Sequence, residues 1–318
     1  MGSMTATNQD KKSYRVIIFV LVALVALSSA MKDLNQLRTF TLETVDLIAQ
    51  YSEVVAPTVM ANAAPLPMVP TVSVVAQRGA DEFRWTGSIS QDGALEIKGV
   101  NGEIRAELSS GNQIEVQASK RSRRSDVNSV QVKVVEHAGG VTICAIYPSD
   151  DPSRPNSCEP GDGKGRNSVR NNDVTVDFTV RVPNHVALIA RTVNGEISAN
   201  SLTGNITAHT VNGSIRLSTS GYAEASSVNG GISARMGDTN WPNRLKFSTV
   251  NGGIDLDLPS NISTEIEAQT TNGSIHSDFP LTVSSLDGPK RIKGKIGSGG
   301  RELILQTLNG SISLRTAG

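Results

Sequence analysis

The chain has 318 residues with 30 basic and 30 acidic side chains, and this zero net charge gives no electrostatic reason to expect nucleic acid as a partner. Aromatic residues make up only 4% of the sequence, which excludes a large aromatic core. The 29 glycines, together with abundant Val, Ile, Ser, Thr and Asn, favour many short strands joined by tight turns.

Residues 1–30 have the pattern of an export signal. Lys11, Lys12 and Arg15 precede an apolar run that ends in small residues at position 30. The run covers about 15 residues, short of the ~20 that span a bilayer, which favours a cleavable signal peptide. A helical apolar spacing continues from 31 to 55 and would instead suit an uncleaved signal anchor. Both alternatives stay open, and both place the rest of the chain outside the cytoplasm. A buried core helix of a cytosolic protein is the remaining alternative.

Three further segments differ in their pattern. Residues 31–70 combine the amphipathic helical spacing with a proline-rich extended linker. From 71 to 190, apolar and polar residues alternate with a period of two, which predicts an N-terminal β region. Gly139-Gly140 predicts a hairpin between two of these strands. The stretch 148–173 is almost free of apolar residues and is predicted to be a loop.

Two features near this loop each allow two interpretations. Cys144 and Cys158 could form a disulfide in an exported protein, closing a loop of about 15 residues and stabilising the fold by roughly 3 kcal/mol. The alternative is a pair of unbonded thiols. The basic segment 120–124 is interpreted as a solvated loop, with contact to anionic polysaccharide or phospholipid head groups as the alternative.

The dominant pattern is a repeated Thr/Ser-x-Asn-Gly-x-Ile motif in residues 191–318. Its six asparagines are separated by 18, 17, 22, 21 and 37 residues, and one earlier copy lies in the β region. The 37-residue gap suggests two turns, with Ile292–Ile296 as a degenerate copy that carries Lys in place of Asn. The predicted structural repeat corners are Asn101, Gly102, Asn194, Gly195, Asn212, Gly213, Asn229, Gly230, Asn251, Gly252, Asn272, Gly273, Asn309 and Gly310.

A period of about 20 residues is typical of a solenoid. Apolar residues recur at fixed places on both sides of each Asn-Gly, so the flanking strands share one inward face and bend at the corner. Glycine permits a bend or a close approach, and stacked asparagines can form side-chain ladders. The sequence predicts an all-β fold, a β-solenoid or single-stranded β-helix preceded by an N-terminal hydrophobic helix. A β-sandwich with a hairpin at each Asn-Gly is the alternative.

The motif resembles a known family. Copies such as 210–215 resemble the bacterial "putative adhesin" family of β-strand-repeat domains of unknown function, and further supporting stretches are 97–102, 135–144, 218–225 and 296–300. The resemblance covers about 83–314. It implies an exported, envelope or surface β-solenoid, and it assigns no catalytic or binding residues.

No sequence pattern predicts a reaction. A nucleophile elbow, a His-Glu-x-x-His motif and a phosphate-binding loop are all missing from the sequence, so we predict no catalytic residue, metal or cofactor. A carbohydrate-active β-helix enzyme is the alternative, and its candidate carboxylates are Asp255, Asp257, Glu265 and Glu267. Acids that alternate along a strand are more typical of its solvated face.

The sequence therefore predicts an exported, non-enzymatic interaction or adhesion module. A surface polysaccharide or another envelope protein is the predicted partner, and the membrane is a partner only through an uncleaved N-terminal segment. A membrane-anchored structural scaffold remains a further alternative. Any binding function is expected in the ladder of exposed residues along one face or in the loop 148–173. The variable slots beside the repeat corners are Glu196, Ser214, Gly231 and His209 among others, and the His209 slot is predicted to face solvent.

Overall fold

The computed structural model describes residues 77–78, 81–90, 93–286 and 290–317, which belong to one compact unit. The predicted export signal, amphipathic helix and proline-rich linker lie outside these residues. Across the described ranges, no helix has the length and apolar character that a membrane crossing would require.

The described residues form β-strands and one short 3-10 helix, Val127–Ser129. The first strands are β1 (Gln77–Arg78), β2 (Glu82–Gly87), β3 (Ala94–Lys98), β4 (Ile104–Leu108), β5 (Ile114–Arg121), β6 (Gln131–His137), β7 (Gly140–Ile146), β8 (Thr175–Val182), β9 (Ala187–Arg191), β10 (Ile197–Leu202) and β11 (Ile206–His209). The remaining strands are β12 (Ile215–Thr219), β13 (Ala223–Ser226), β14 (Ile232–Met236), β15 (Arg244–Asn251), β16 (Ile254–Leu258), β17 (Thr264–Asn272), β18 (Ile275–Ser277), β19 (Leu281–Leu286), β20 (Arg291–Ile296), β21 (Glu302–Asn309) and β22 (Ile312–Thr316).

These strands build two eleven-stranded sheets. Sheet A has the order β1-β2-β5-β8-β4-β10-β12-β14-β16-β22-β18, and sheet B has the order β19-β20-β17-β21-β15-β13-β11-β9-β3-β7-β6. Pairing is parallel from β8 to β18 in sheet A and from β7 to β17 in sheet B. The antiparallel strands β1, β2, β5 and β6 close one end of this array, and β19 and β20 extend sheet B at the other.

Within the array, a strand of sheet B is followed along the chain by a strand of sheet A. We call such a pair a coil; β9 and β10 form one, and Asn194-Gly195 lies at the corner between them. The two strands that flank each Asn-Gly lie in different sheets and pair with the neighbouring coils. The alternative of a β-sandwich with Asn-Gly hairpins is therefore wrong, and the all-β, solenoid-like expectation is confirmed. The hairpin at Gly139-Gly140 joins β6 to β7 as predicted.

The order of coils in space differs from their order along the chain. The coil of Asn309 lies between those of Asn251 and Asn272, because β21 pairs with both β15 and β17. Ile292–Ile296, predicted to be a degenerate coil, is instead part of β20, an antiparallel strand between β17 and β19. That prediction was wrong because apolar and polar residues alternate in the same way in parallel and antiparallel strands.

The predicted boundary between residues 190 and 191 does not separate two folded units. β3 pairs with β9 and β4 pairs with β10, so strands from both sequence regions share both sheets. The early copy at Asn101 therefore stacks directly on the copy at Asn194, although 93 residues separate them.

The core between the sheets is largely aliphatic. Strands such as β14 and β16 alternate buried and less buried residues, which places one side of each strand against the core. The isoleucine two residues after each corner glycine is at most 1% exposed in six coils: Ile104, Ile197, Ile215, Ile232, Ile254 and Ile312. Alanines such as Ala190, Ala208 and Ala225 occupy the facing slots of sheet B, so the interior remains narrow.

Candidate functional site: the asparagine edge

The seven repeat asparagines form one continuous row along the corner between sheets B and A. In every member except Asn101, the Nδ2 donates a hydrogen bond of 2.7 or 2.8 Å to the Oδ1 of the neighbouring asparagine on the Asn101 side of the row. The row runs Asn101, Asn194, Asn212, Asn229, Asn251, Asn309, Asn272. We call this row the asparagine edge. Because every bond has the same direction, the row has a donor end at Asn101 and an acceptor end at Asn272.

The ladder leaves half of the hydrogen-bonding capacity of each amide free. An asparagine side chain has two N–H donors and an oxygen with two lone pairs. An interior member of the row uses one donor and one lone pair within the ladder. Five of the seven side chains are exposed, namely Asn194, Asn212, Asn229, Asn251 and Asn272. Each exposed interior member of the edge therefore offers solvent one donor and one acceptor.

Glycine follows each asparagine because the backbones of adjacent coils approach too closely for a side chain. A Cβ atom added to Gly213 would lie 2.0 Å from the carbonyl oxygen of Gly195. At Gly102 it would lie 2.1 Å from the oxygen of Val176, and this glycine also has a φ of +132° that L-residues rarely adopt. Close approach at the corner is thus a property of the whole row.

In six of the seven coils, a Thr or Ser lies two residues before the asparagine and donates a hydrogen bond to the carbonyl oxygen of the corner glycine in the adjacent coil. Thr210 is buried, and its Oγ1 donates to the oxygen of Gly195 at 2.9 Å. The same bond is made at the other corners by Thr192, Ser227, Thr249, Thr307 and Thr270. A buried carbonyl without a partner is costly, so the hydroxyl row supports the asparagine edge from inside.

A groove of about 490 Å³ lies at the donor end of the row. It is lined by Asn101, Gly102, Glu103, Arg121, Asp173, Thr175, Asp177, Asn194 and Gly195. Arg121 forms a 2.6 Å ion pair with Asp177, whose other oxygen accepts the backbone N–H of Glu103 at 3.1 Å. The groove therefore combines an amide, carboxylates and a guanidinium in one polar concavity.

Asp173 fixes the basic segment beside the groove. Its carboxylate accepts backbone N–H bonds from Arg123, Arg124 and Ser125 at 2.8 to 3.1 Å. Hydrogen bonding by Ser125, followed by the two arginine amides, lowers the pKa of Asp173 to about 2. The side chains of Arg123 and Arg124 are exposed. The predicted solvated loop at 120–124 is thus a turn held by its backbone, and Lys120 and Arg121 belong to β5.

Residues 148–173 replace the Asn-Gly corner in the coil formed by β7 and β8. We call this segment the covering loop. Cys144 and Cys158 form a disulfide with a Cα–Cα distance of 5.7 Å, which ties the loop to β7. Arg191 forms a 2.8 Å ion pair with Asp162 of the loop. These contacts hold the covering loop against the outer surface of sheet B.

Glu96 is buried beneath the covering loop, although it alternates with apolar residues along β3. Its carboxylate accepts the N–H of Gly161 at 3.0 Å and the hydroxyl of Thr142 at 2.9 Å. Lys98 lies 3.4 Å from Glu96 and donates to the carbonyl oxygens of Glu159 and Gly161. Burial lowers the pKa of Lys98, against the opposing effect of Glu96. The polar side of β3 does not face solvent here because the covering loop lies over this part of the sheet.

The His209 slot, predicted to face solvent, is half-buried. The Nδ1 atom of His209 lies 2.6 Å from the hydroxyl oxygen of Ser226. Burial, and then the positive charge of Arg191, lower the pKa of His209 to about 4. The imidazole is therefore neutral at physiological pH.

The four carboxylates considered for an enzyme lie on two different sheets. Asp255 and Asp257 belong to β16 of sheet A, where they pair with Arg315 and Arg235. Glu265 and Glu267 belong to β17 of sheet B, where Lys295 and Lys293 are their respective partners. The structure does not bring these two pairs together. Among the residues described, no cluster of three or more His, Cys, Asp or Glu side chains could hold a metal ion.

Sequence reasoning did not identify the groove as a site. Asn101, Gly102, Asn194 and Gly195 were predicted only as structural corners, Glu103 is the variable residue after an Asn-Gly, and Arg121 belongs to the basic segment. Asp173 and Asp177 come from the end of the polar loop and from β8, and only the parallel pairing of β8 with β4 places them beside Asn101. No local pattern could have predicted that pairing.

Comparison with solved structures finds resemblance over about three-quarters of the chain. A "putative cell adhesion protein" from Clostridium sporogenes is 11% identical, with a TM-score of 0.39, and the alignment covers 74% of this chain and 99% of that one. A "putative adhesin" from Bacteroides fragilis is 12% identical, with a TM-score of 0.28 and coverage of 74% and 98%. A "putative adhesin" from Parabacteroides distasonis is 10% identical, with a TM-score of 0.23 and coverage of 74% and 97%.

A search of curated proteins gives no match to this chain. The family model described as Toastrack DUF4097 matches residues 89–315, which include all seven asparagines of the edge. The match extends over most of the sequence and over nearly the same residues as the resemblance to the β-strand-repeat adhesin family. The chain belongs to the Toastrack DUF4097 family.

Proposed function

We propose that this protein is an exported, non-enzymatic interaction module that binds a surface polysaccharide along the asparagine edge. The observation that carries the proposal is the row of seven side-chain amides, joined by six hydrogen bonds into one exposed line. The row is rigid because its glycines and buried hydroxyls fix the backbone beneath it. A binding surface that is fixed before the ligand arrives loses little conformational entropy on binding.

The free groups of the edge match the chemistry of sugar hydroxyls. A hydroxyl group both donates and accepts a hydrogen bond, and each interior amide has one N–H and one lone pair free. The amides recur at the coil spacing of about 4.8 Å, so a ligand that itself repeats can make the same contact several times. Individually weak contacts of this kind add up when they are linked in one chain.

The groove at the donor end gives the edge a distinct terminus. Glu103 and Asp177 provide carboxylate acceptors for hydroxyl groups, and Arg121 provides a planar donor. A polysaccharide that follows the edge would meet these charged groups at Asn101. The groove thus makes one end of the edge chemically different from the other, whereas the rest of the surface repeats one amide.

Export is part of the proposal. The disulfide between Cys144 and Cys158 suits an oxidising compartment outside the cytoplasm. It agrees with the predicted signal peptide or signal anchor in residues 1–30. N-terminal sequencing of the protein from fractionated cells would distinguish these forms: a mature chain beginning at Met31 would exclude the anchor, and an intact N-terminus in the membrane fraction would exclude cleavage.

Binding can be tested with a panel of neutral and acidic polysaccharides. The double variant Asn212→Ala/Asn229→Ala removes two adjacent amides, and Ser233→Ala in β14 is a matched control on the exposed surface of sheet A. We expect the double variant to bind at least about tenfold more weakly, since two lost hydrogen-bonding groups cost about 1.4 kcal/mol or more. The control should bind like the native protein.

Three results would contradict the proposal. Equal binding by the double variant and the native protein would show that the asparagine edge does not bind the polysaccharide, provided that circular dichroism shows both to be folded. Absence of binding to every polysaccharide in the panel would argue against this ligand class. Release of new reducing ends, lost on Asp255→Asn or Glu267→Gln, would instead support the carbohydrate-active enzyme.

A further inference from the structure

Sheet A ends in an unpaired strand at the acceptor end of the asparagine edge. β18 pairs with β22 and has no second neighbour among the described strands, whereas β17 of the same coil is covered by β20. Ile275 is partly exposed, although the corresponding isoleucine is buried in the other six coils. Asn272, Gly273 and Ser274 are also exposed. Within the described part of the chain, the last coil therefore lacks the cover that each earlier coil receives from the next one.

Each interior coil makes the same set of bonds to the coil that follows it. The N–H of Gly195 donates to the oxygen of Asn212 at 3.0 Å, and the N–H of Ile197 donates to the oxygen of Ser214 at 3.1 Å. The Oδ1 of each asparagine accepts the Nδ2 of the next, as Asn194 does from Asn212. The same arrangement recurs up to the bonds from Gly310 and Ile312 to the last coil.

The last coil presents the same groups without that next coil. Ser274 accepts from Ile312 and Asp278 donates to Leu314, so these alternate residues face β22. The backbone groups of Gly273 and Ile275 face the opposite way, beyond the end of the sheet. The Oδ1 of Asn272 is the free acceptor of the ladder, because this side chain uses its Nδ2 on Asn309. The open end is thus a template for one more Asn-Gly strand.

The direction of the ladder decides which occupant fits. A second copy of this chain, related by a two-fold axis, would place two acceptor ends of the ladder against each other and would pair β18 antiparallel. An added parallel strand with its own asparagine would instead bring an Nδ2 donor to Asn272. An added strand cannot pair with the backbone N–H of Thr270, because this group already donates to the oxygen of Lys290. The free template therefore begins at the asparagine.

We propose that the open end binds an extended polypeptide segment with the pattern Asn-Gly-x-Ile-x-Leu as one further parallel strand of sheet A. The bound isoleucine covers Ile275, and the bound asparagine extends the row beyond Asn272. The segment requires glycine, since a Cβ there would collide with the oxygen of Gly273 as it would at every interior corner. The Nζ of Lys290 donates to the oxygen of Thr271 at 2.6 Å. This bond breaks on binding, and the incoming strand then donates to the same oxygen.

The test uses a synthetic peptide with the sequence of residues 210–218, a copy of one interior repeat. Titration of the full chain, followed by NMR, should show saturable binding with shifts at the amides of Gly273 and Ile275 and at the side chain of Asn272. A peptide with alanine in place of its glycine should bind at least about tenfold more weakly, because one backbone contact becomes impossible.

Two chain variants locate the site. Ile275→Asp should abolish binding, and His276→Ala, on the exposed side of the same strand, should leave it unchanged. If Ile275→Asp fails to fold, the shift map of the native chain decides. Equal binding of both peptides, no saturation, or shifts elsewhere would overturn the proposal. Self-association that is lost in Ile275→Asp would overturn it in favour of a second copy.

Discussion

The corner between sheets B and A is turned in two different ways in this molecule. At Asn194 the chain needs only residues 192–196 between β9 and β10, and the same short corner recurs along the asparagine edge. Between β7 and β8 the chain instead uses residues 147–174, which include the covering loop. The two corners perform the same topological task with very different lengths of chain.

The two corners also differ in what holds them. A repeat corner is held by its neighbours through backbone contact, the Thr or Ser hydroxyl and the amide ladder. The covering loop is held by the disulfide and by contacts to Glu96, Lys98 and Arg191 on sheet B. A repeat corner therefore depends on contacts that recur in every coil and leave no room for an added Cβ, whereas the covering loop depends on a disulfide and a few individual side chains.

The largest expected effect comes from adding a methyl group at a repeat corner. A Cβ at Gly230 would lie 2.0 Å from the oxygen of Gly213, so Gly230→Ala must force two coils apart. We expect it to cost more than about 3 kcal/mol in the free energy of unfolding. Gly231→Ala is the matched control, since its nearest contact would be an ordinary 3.5 Å. Urea unfolding of both variants measures the difference, and equal stability would refute the close-approach account.

The next effect tests the covering loop. Cys144→Ser/Cys158→Ser removes a cross-link between residues 14 positions apart, and we expect a loss of about 3 kcal/mol in the free energy of unfolding. Limited proteolysis should then cut within 148–173 before it cuts the strands. Retention of full stability and protease resistance would show that the side-chain contacts hold the loop without the disulfide.

His209, beside Arg191 on sheet B, should make stability depend on pH. Its pKa falls from an ordinary 6.5 to about 4 in the folded protein, so the unfolded chain binds the proton more readily between these values. Stability should therefore decrease as the pH is lowered from 6.5 to 4, by no more than about 1.4 kcal/mol per pH unit. His209→Gln should flatten this part of the profile in pH-dependent thermal melts, and an unchanged slope would exclude His209 as its source.

The smallest effect concerns the buried hydroxyl row. Thr210→Val keeps the shape of the side chain and leaves the oxygen of Gly195 without its 2.9 Å partner. The expected cost is about 1 to 2 kcal/mol, the penalty for a buried acceptor without a bond. Thr207→Val on the outer side of β11 should be nearly neutral in the same unfolding measurement. Equal effects of the two substitutions would show that the Thr210 hydroxyl does not stabilise the corner.

The sequence was sufficient for features that repeat locally. The fixed spacing of Ile and Ala around each Asn-Gly predicted an all-β, solenoid-like fold with inward apolar faces, because strand geometry places every second residue on one side. The polar stretch 148–173 was recognisable as a loop from its lack of apolar residues. Both inferences depend only on neighbours along the chain.

The remainder depends on contacts between distant residues. Nothing in the motif of Asn309 indicates that its coil lies between those of Asn251 and Asn272, since every copy offers the same pairing surface. Glu96 has the polar alternation of a solvated residue, and only the fold of the covering loop buries it. The groove likewise forms where β8 meets β4. Identical repeats specify the geometry of a coil and leave its position in the array to the rest of the chain.

The order of the asparagine edge is the most direct test of this account. NMR on asparagine-labelled protein can detect couplings across the side-chain hydrogen bonds and so identify which amides are adjacent. The structure predicts six couplings, among them Asn309 to Asn251 and Asn272 to Asn309, with the free donor at Asn101. A coupling between Asn251 and Asn272, or side-chain amides that show no coupling at all, would contradict the account.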